Sequence, residues 1–294
     1  MSLRKEHTKV IPLDNPERIT AKMKEQNAIE VLEENEQDEW KRIPEEDKAE
    51  ALKNIIFYPV GHNFNPAHWV VYNWFIKTRW LEALQAINLA KPASMLELAT
   101  GSNVMIPQVF SRFYTHPETQ YTTVNLNKQL TADFKQHTKD LPLKINIIED
   151  AAQNIEDYFS NKQADVVIFE HAFNDIVEDI IARKFGIDTI NTSWWDILPK
   201  LIELTNEVYL NGTYEEMIKE DFLRLLRSSL KVLKPSAFLV SYQFQFQFDI
   251  DLGIIPDIWT DLISTVRKWV KEANIGEEVF FDGFEPNWWM FLRA

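Results

Sequence analysis

The chain has 294 residues, of which 45% are hydrophobic and 13% aromatic, and its formal net charge is −14. This size fits one large α/β domain with an appendage or two small domains, and the apolar content excludes a wholly disordered chain. The acidic balance argues against general binding to a nucleic-acid backbone. The chain has no cysteine, which excludes disulfides, thiolate metal sites and cysteine nucleophiles. No signal peptide or long apolar run is evident, so we expect a soluble, cytoplasmic protein that does not span a membrane.

The segment from residue 1 to about 53 is strongly charged, with sparse apolar positions such as Ile29, Leu32, Trp40 and Ile43. This pattern predicts one or two exposed helices, or an arm held by few contacts. We expect the segment to be peripheral to the sheet, because it offers too little apolar surface to build a core.

An aromatic-rich segment follows from about residue 55. Asn65 before Pro66 is typical of a helix N-cap followed by a first-turn proline. Trp69, Tyr72 and Phe75 then recur at helical spacing. We therefore predict a helical N-terminal extension and lid over residues 1–79, covering the carboxyl edge of the sheet formed by residues 80–294.

Short apolar runs then alternate with helix-like stretches, which predicts a mostly parallel sheet with helices on both faces. The run "ADVVIFEHAF" is continuously apolar, as a strand buried on both faces should be. "EEVFFDGF" and "PNWWMFLRA" predict a final antiparallel hairpin. The strict alternation in "SYQFQFQFDID", residues 241–251, predicts a long strand with one exposed face. A helical insertion is expected at about 176–221. The apolar runs lie at 95–98, 121–126, 144–148, 165–170 and 237–242.

A turn of small residues follows the first run, in "LELATGSN". Ala99, Gly101 and Asn103 occupy positions where a ligand-binding βα turn needs small side chains, and Asn103 would fit if its backbone were left-handed. The same pattern also fits an ordinary strand-to-helix connection. Polar residues end the next three runs, at Asn125, Asp150 and Glu170. Such strand ends meet at the carboxyl edge, where open α/β sheets bind ligands.

These motifs together resemble class I S-adenosylmethionine-dependent methyltransferases over about residues 80–294. The motifs are "LELATGSN", "TVNLNKQL", "EDAAQNI", "ADVVIFEHAFNDI" and "LKVLKPSAFLVSY". The resemblance implies a doubly wound α/β fold with a seven-stranded, mostly parallel sheet, and S-adenosyl-L-methionine as cofactor. It implies that the methionine part lies against the turn, the ribose against the second strand end, the adenine against the third, and the transferred methyl near the fourth. For the methionine part the resemblance implies Glu97, Ala99, Thr100, Gly101 and Asn103. It implies Asn125 and Leu126 for the ribose, and Asp150 and Ala151 for the adenine. Glu170 and His171 are implied beside the transferred methyl group.

The activity that the resemblance implies is methyl transfer to a small-molecule oxygen or nitrogen acceptor. His171 or Glu170 would take a proton from the acceptor, and Tyr58 or His62 would assist. No metal is expected. The chain departs from the family in having one glycine in the turn instead of three, and Asn125 where an acidic residue is usual. An amide binds two ribose hydroxyls less well than a carboxylate does, which leaves open an inactive binding protein.

Each of these residues also has a purely structural explanation. Asn125 could cap the next helix instead of facing a ribose. The stretch "EHAFND", residues 170–175, could form a loop on the acceptor side of the site, or Asn174 or Asp175 could simply cap the following helix. The histidines His62 and His68 could belong to a lid or be structural. Trp194 and Trp195 could pack in the core or at an interface, or stack on a substrate. An enzyme that uses a different nucleotide is a further alternative, although no Gly-x-Gly-x-x-Gly occurs. The sequence identifies neither the acceptor nor the oligomeric state.

Overall fold

A computed structural model describes residues 11–57, 59–61, 65–159 and 163–294. Its centre is a seven-stranded sheet of order β3-β2-β1-β4-β5-β7-β6. The first five strands are parallel, and β7 runs antiparallel to both β5 and β6. This confirms the predicted doubly wound sheet with its final hairpin, although β6 has only two residues. The strands are β1 Ser94–Leu98, β2 Gln120–Val124, β3 Lys144–Ile148, β4 Ala164–Glu170, β5 Leu233–Tyr242, β6 Glu277–Glu278 and β7 Trp289–Arg293.

The helices cover both faces of this sheet. Short 3-10 helices also occur at Ala28–Val31 and Ala152–Asp157. Among the described residues, no helix is long and apolar enough to cross a membrane. The α-helices are α1 Pro16–Met23, α2 Glu34–Arg42, α3 Glu45–Ile56, α4 Pro66–Ala86, α5 Met105–Phe113, α6 Lys128–Thr138, α7 Phe173–Lys184, α8 Trp194–Leu210, α9 Tyr214–Val232, α10 Gln247–Asp251, α11 Pro256–Thr260 and α12 Leu262–Ala273.

Side-chain alternation along the strands divides the core into two clusters. Met95 and Val166 point to the face covered by α4 and α5. Leu96 and Val167 point to the opposite face, covered by α7, α9 and α12. Because the strands carry apolar residues on both sides, a parallel sheet can be buried between two helical layers.

The helix α4 begins as predicted. The Asn65 side chain accepts a hydrogen bond from His68 N at 2.8 Å, and Pro66 is the first helical residue. Buried residues lie on every side of α4 because the sheet covers one side and the N-terminal helices cover the other. This explains its continuous aromatic and apolar composition.

The prediction that the charged N-terminal segment is peripheral is wrong. Its few apolar residues lie on one side and join the core against α4, as Trp40 does with its ring 5.5 Å from that of Trp74. The charges of α4 are paired within the same layer, where Arg79 Nε lies 2.7 Å from Asp14 Oδ2 and both side chains are 1% exposed. The helices α1–α3 therefore pack on one face of the sheet. Val60, later in the same extension, is hydrogen-bonded to the backbone of residues 245 and 247. The predicted lid over the carboxyl edge stays a prediction.

The predicted long strand over 241–251 is also wrong beyond Tyr242. The chain leaves the sheet there and forms the short helix α10. Gln243 and Gln245, which the alternation places on an exposed face, are buried. Gln243 Oε1 accepts from Phe173 N, and its Nε2 donates to Asn174 Oδ1 at 3.1 Å. Gln243 thus bonds to α7, so a period of two does not indicate a solvent-facing strand here.

Candidate functional site

The turn after β1 is left-handed at two residues. Ala99 has φ 56° and Gly101 has φ 58°. A left-handed alanine costs roughly 1–2 kcal/mol, so the surrounding structure must impose it. Asn103 does not have the left-handed backbone under which an asparagine would fit its position in such a turn. The expectation of a tight turn is confirmed, with the strain at Ala99.

Asn103 connects this turn to the end of β4. Its Oδ1 accepts a hydrogen bond from Met105 N at 2.9 Å, at the start of α5. Its Nδ2 donates to Glu170 Oε2 at 2.6 Å. The side chain therefore fixes the position of the buried Glu170 carboxylate relative to the turn.

Asn125 holds the turn from the neighbouring strand. Its Oδ1 accepts from Gly101 N at 2.9 Å, and its Nδ2 donates to Gly101 O at 2.6 Å. The alternative that Asn125 caps α6 is wrong, because Asn127 is the cap and accepts from Leu130 N. An amide can both accept and donate, whereas an ionised carboxylate can only accept, which gives a physical reason for Asn125 where an acidic residue is usual.

The end of β3 carries a carboxylate that is bonded locally. Asp150 accepts hydrogen bonds from Ala151 N, Asn154 Nδ2 and the Tyr158 hydroxyl. These bonds, the one from Tyr158 first, lower the pKa of Asp150. Asp150 is therefore a fixed acceptor that stays ionised at neutral pH.

Glu97 lies on the α4 face of the sheet, because side chains alternate along β1. It is fully buried and accepts a hydrogen bond from the Tyr121 hydroxyl. Burial raises the pKa of Glu97 to about 7. It is not among the described residues that line the two clefts below, and its predicted contact with a cofactor stays a prediction.

One cleft lies between the ends of β2 and β3 and the helix α7; we call it the β2–β3 cleft. Its volume is about 740 Å³, including space that is open to solvent. The predicted residues Ala99, Gly101, Asn125, Leu126, Asp150 and Ala151 line it, with Asp175, Asp179, Ile180, Arg183 and Trp194 among the others.

A second cleft, the β1–β4 cleft, lies in front of the ends of β1 and β4 and has a volume of about 760 Å³. Ala99, Gly101, Leu130, Asp175 and Trp194 line both clefts, so the two adjoin at the turn. The predicted residues that line this cleft are Thr100, Asn103, Glu170 and His171, and it also contains Ser102, Asn174, Trp195, Leu198, Phe246, Phe248 and Asp249.

The β1–β4 cleft contains three carboxyl groups whose pKa values are raised. Burial, with smaller contributions from Glu97 and Asp175, raises the pKa of Glu170 to about 8. Burial and the Asp249 charge raise the pKa of Asp175 to about 7, and burial raises that of Asp249 to about 6. These groups can change protonation near neutral pH, as proton acceptors in active sites do.

His171 is a weak base in this environment. Its ring stacks on Phe244 with centroids 4.6 Å apart and meets the edge of Phe246 at 4.8 Å. Burial lowers the pKa of His171 to about 3. Its backbone is also left-handed, with φ 47°. Of the two predicted proton acceptors at the end of β4, Glu170 therefore has the better matched pKa.

The remaining residues considered in the sequence are Tyr58, two histidines and two tryptophans. Tyr58 and His62 lie outside the described residues. His68 is buried. Trp194 is 8% exposed and Trp195 is 63% exposed, and both line the β1–β4 cleft.

Sequence reasoning missed one acidic residue of this cleft and left the role of another open. Asp175 was predicted either to belong to an acceptor-side loop or to cap a helix, and it lines the cleft. Asp249 was assigned to a strand that does not form, and it is brought to the cleft by α10. Among the described residues, no group of three or more histidines or acidic residues is arranged to hold a metal ion.

No family model and no curated protein matches the chain. Solved structures do match. One is a SAM-dependent methyltransferase from Aquifex aeolicus, with 13% identity and a TM-score of 0.41, covering 73% of this chain and 87% of that one. A second is an O-methyltransferase family protein from Burkholderia thailandensis, with 11% identity and a TM-score of 0.40, covering 79% and 60%. A third is an S-adenosylmethionine-dependent methyltransferase from Clostridium acetobutylicum, with 11% identity and a TM-score of 0.36, covering 57% of this chain and 48% of that one.

These likenesses are weak, so the fold assignment depends on the strand order. Five parallel strands in the order 3-2-1-4-5, followed by an antiparallel β7 between β5 and β6, form the class I methyltransferase fold. The predicted fold class is therefore confirmed.

Proposed function

We propose that this protein transfers a methyl group from S-adenosyl-L-methionine to a small-molecule acceptor. The observation that carries the proposal is the pair of adjoining clefts at the carboxyl edge, meeting at the strained turn of Ala99 and Gly101. Strained backbone of this kind concentrates at functional sites. A bound S-adenosylmethionine supplies an electrophilic methyl group on a positively charged sulfur.

The β2–β3 cleft fits the nucleoside part of this cofactor. Leu126 and Ile180 supply apolar groups to its lining, and Asp150 and Asn125 supply polar ones. Where the β1–β4 cleft adjoins it at the turn, the Glu170 carboxylate would attract the sulfonium charge of the cofactor.

The residues of the site would work mainly by positioning. Asn125 holds Gly101, and Asn103 holds Glu170, so the turn and the carboxylate stay in a fixed relation. Alignment of acceptor and methyl group is the main requirement of an in-line displacement. Glu170 would accept the proton that the acceptor loses. The net charge of −14 favours a small molecule over a nucleic acid as acceptor, and a cytoplasmic location stays part of the proposal.

A catalytically inactive relative is the second candidate, and one observation favours it. The Asn125 amide uses Oδ1 and Nδ2 on Gly101, and Asp150 is already bonded to three local donors. The polar groups that a ribose and an adenine would bind are therefore already hydrogen-bonded within the protein. Isothermal titration calorimetry with S-adenosylmethionine, S-adenosylhomocysteine and NAD+ separates the candidates. We expect dissociation constants below millimolar for S-adenosylmethionine and S-adenosylhomocysteine, and no heat with NAD+. If neither sulfur compound gives heat at millimolar concentration, the methyltransferase proposal is excluded.

Replacement of Gly101 tests the turn directly. We expect Gly101→Val to abolish cofactor binding, because a β-branched residue at φ 58° disfavours the turn that both clefts share. Gly212→Val is the matched control, since Gly212 also has a positive φ, 71°, but no atom lies within 4 Å of an added Cβ there. Both variants should lose stability, and only Gly101→Val should lose affinity in calorimetry. Equal affinities in the two variants would show that the turn is merely structural.

A further inference from the structure

The wall of the β1–β4 cleft is acidic and aromatic. Glu170, Asp175 and Asp249 line it, together with the rings of Trp194, Trp195 and Phe246. Among the described residues that line it there is no lysine or arginine. Aromatic faces and carboxylates both attract cations, and they attract most strongly where water is excluded.

One carboxylate oxygen in this wall has no bonding partner. Glu170 is 5% exposed, and its Oε2 is bonded to Asn103. Its Oε1 is buried and, among the described residues, makes no hydrogen bond. A buried polar atom without a partner is destabilising, so a bound donor would stabilise the folded chain there. The cleft that Glu170 lines is where a ligand could bring such a donor.

We infer that the methyl acceptor is a cationic amine, whose ammonium group binds between the carboxylates and the rings of the β1–β4 cleft. This inference rests on the proposed function. An ammonium group provides N–H donors for Glu170 and Asp249 and a positive charge for Trp195, the exposed ring of the wall. An alcohol offers one donor and no charge, and a carboxylic acid is repelled by all three acidic groups.

The chemistry of an amine acceptor also suits Glu170. An ammonium group must lose one proton before its nitrogen has a free electron pair, and Glu170 is the carboxylate placed to accept it. The nitrogen then forms the new N–C bond, while the electron pair of the broken C–S bond stays on sulfur. The proton on Glu170 leaves to solvent, so one proton is released for each methyl group transferred. Because burial raises the pKa of Glu170 to about 8, the carboxylate form that accepts this proton is present in mildly alkaline solution, where the binding test is made.

The test compares three probes that differ in charge but share one ring: benzylamine, benzyl alcohol and benzoate. Each is titrated by calorimetry at pH 8 into the full chain, with and without saturating S-adenosylhomocysteine, whose sulfur is neutral. We expect benzylamine to bind at least tenfold more tightly than benzyl alcohol in both conditions, and benzoate not to bind. Equal affinity of the amine and the alcohol, or no amine binding, overturns the inference.

Variants locate the effect in the cleft. Asp249→Asn and Glu170→Gln should each weaken benzylamine at least fivefold and leave benzyl alcohol unchanged. Asp257→Asn is the matched control, because Asp257 is exposed on α11 and does not line this cleft. If both cleft variants bind benzylamine like the control, the cation lies elsewhere and the inference fails.

The two proposals can fail separately. If S-adenosylhomocysteine binds but benzylamine shows no preference, the methyltransferase proposal stands and the amine acceptor is excluded. If benzylamine binds with the expected preference but neither sulfur compound binds, the cleft is a cation site and the methyltransferase proposal is excluded.

Discussion

Glu170→Gln should stabilise the protein in alkaline solution more than in acid. The Glu170 carboxyl has a pKa of about 8 in the folded chain, against 4.5 for an ordinary glutamate. Between these values the folded chain holds a proton that the unfolded chain has lost, so stability falls as the pH rises. Glutamine has no titrating proton and keeps an acceptor for Asn103. The stability of the variant should therefore not fall with pH through this group.

The magnitude follows from the two pKa values. Each pH unit between them is worth about 1.36 kcal/mol, and the loss levels off near the folded pKa. From pH 6 to pH 8 the free energy of unfolding of the native sequence should therefore fall by about 2 kcal/mol more than that of Glu170→Gln. Below pH 4 the difference between the two proteins should no longer change with pH.

Urea denaturation followed by tryptophan fluorescence at pH 6 and pH 8 measures this difference. Glu50→Gln provides the control, because Glu50 is exposed on α3 and loses the same charge. We expect the difference in the free energy of unfolding between Glu50→Gln and the native sequence to change by less than about 0.5 kcal/mol from pH 6 to pH 8. Parallel pH profiles for the native sequence and Glu170→Gln would refute the reasoning that burial holds Glu170 protonated.

Two further substitutions test the turn and the N-terminal layer. Asn125→Asp should weaken cofactor binding and cost about 1–2 kcal/mol of stability, because a carboxylate cannot donate to the Gly101 carbonyl and repels it; tighter binding in calorimetry would show that Asn125 acts on the ribose after all. Trp40→Ala should cost about 3–5 kcal/mol in urea denaturation, because it empties a buried site against Trp74, whereas Trp195→Ala, at an exposed ring, should cost less than about 1 kcal/mol. A small effect at Trp40 would mean that the N-terminal layer is peripheral.

The sequence predicts the fold because strand burial is encoded residue by residue. Met95 and Leu96 face opposite layers of helices. The continuous apolar runs of β1 and β4 predict this burial on both faces of the sheet. The prediction fails where polar groups are satisfied by distant partners. Gln243 bonds to α7, and sequence patterns cannot show that partner.

For the candidate site, the sequence predicts which side chains lie close together but not their hydrogen-bond partners. Strand ends supplied Asn125, Asp150 and Glu170, because parallel strands bring their ends together. The hydrogen-bond partners of those side chains depend on distances in the folded structure, which residue spacing in the sequence does not determine. The engagement of Asn125 with Gly101 is the main case, since an amide at a ribose position and an amide that holds a turn look identical in sequence.

The buried contacts of Arg79 have a consequence for how the protein folds. Arg79 pairs with Asp14 and donates through its second terminal nitrogen to Gly283 O at 2.6 Å, while Trp288 Nε1 donates to Pro12 O at 3.1 Å. Segments far apart in the sequence thus complete each other's hydrogen bonds. Contacts of such long sequence separation form slowly. The N-terminal layer should therefore become fully stable only after the segment before β7 has docked against it.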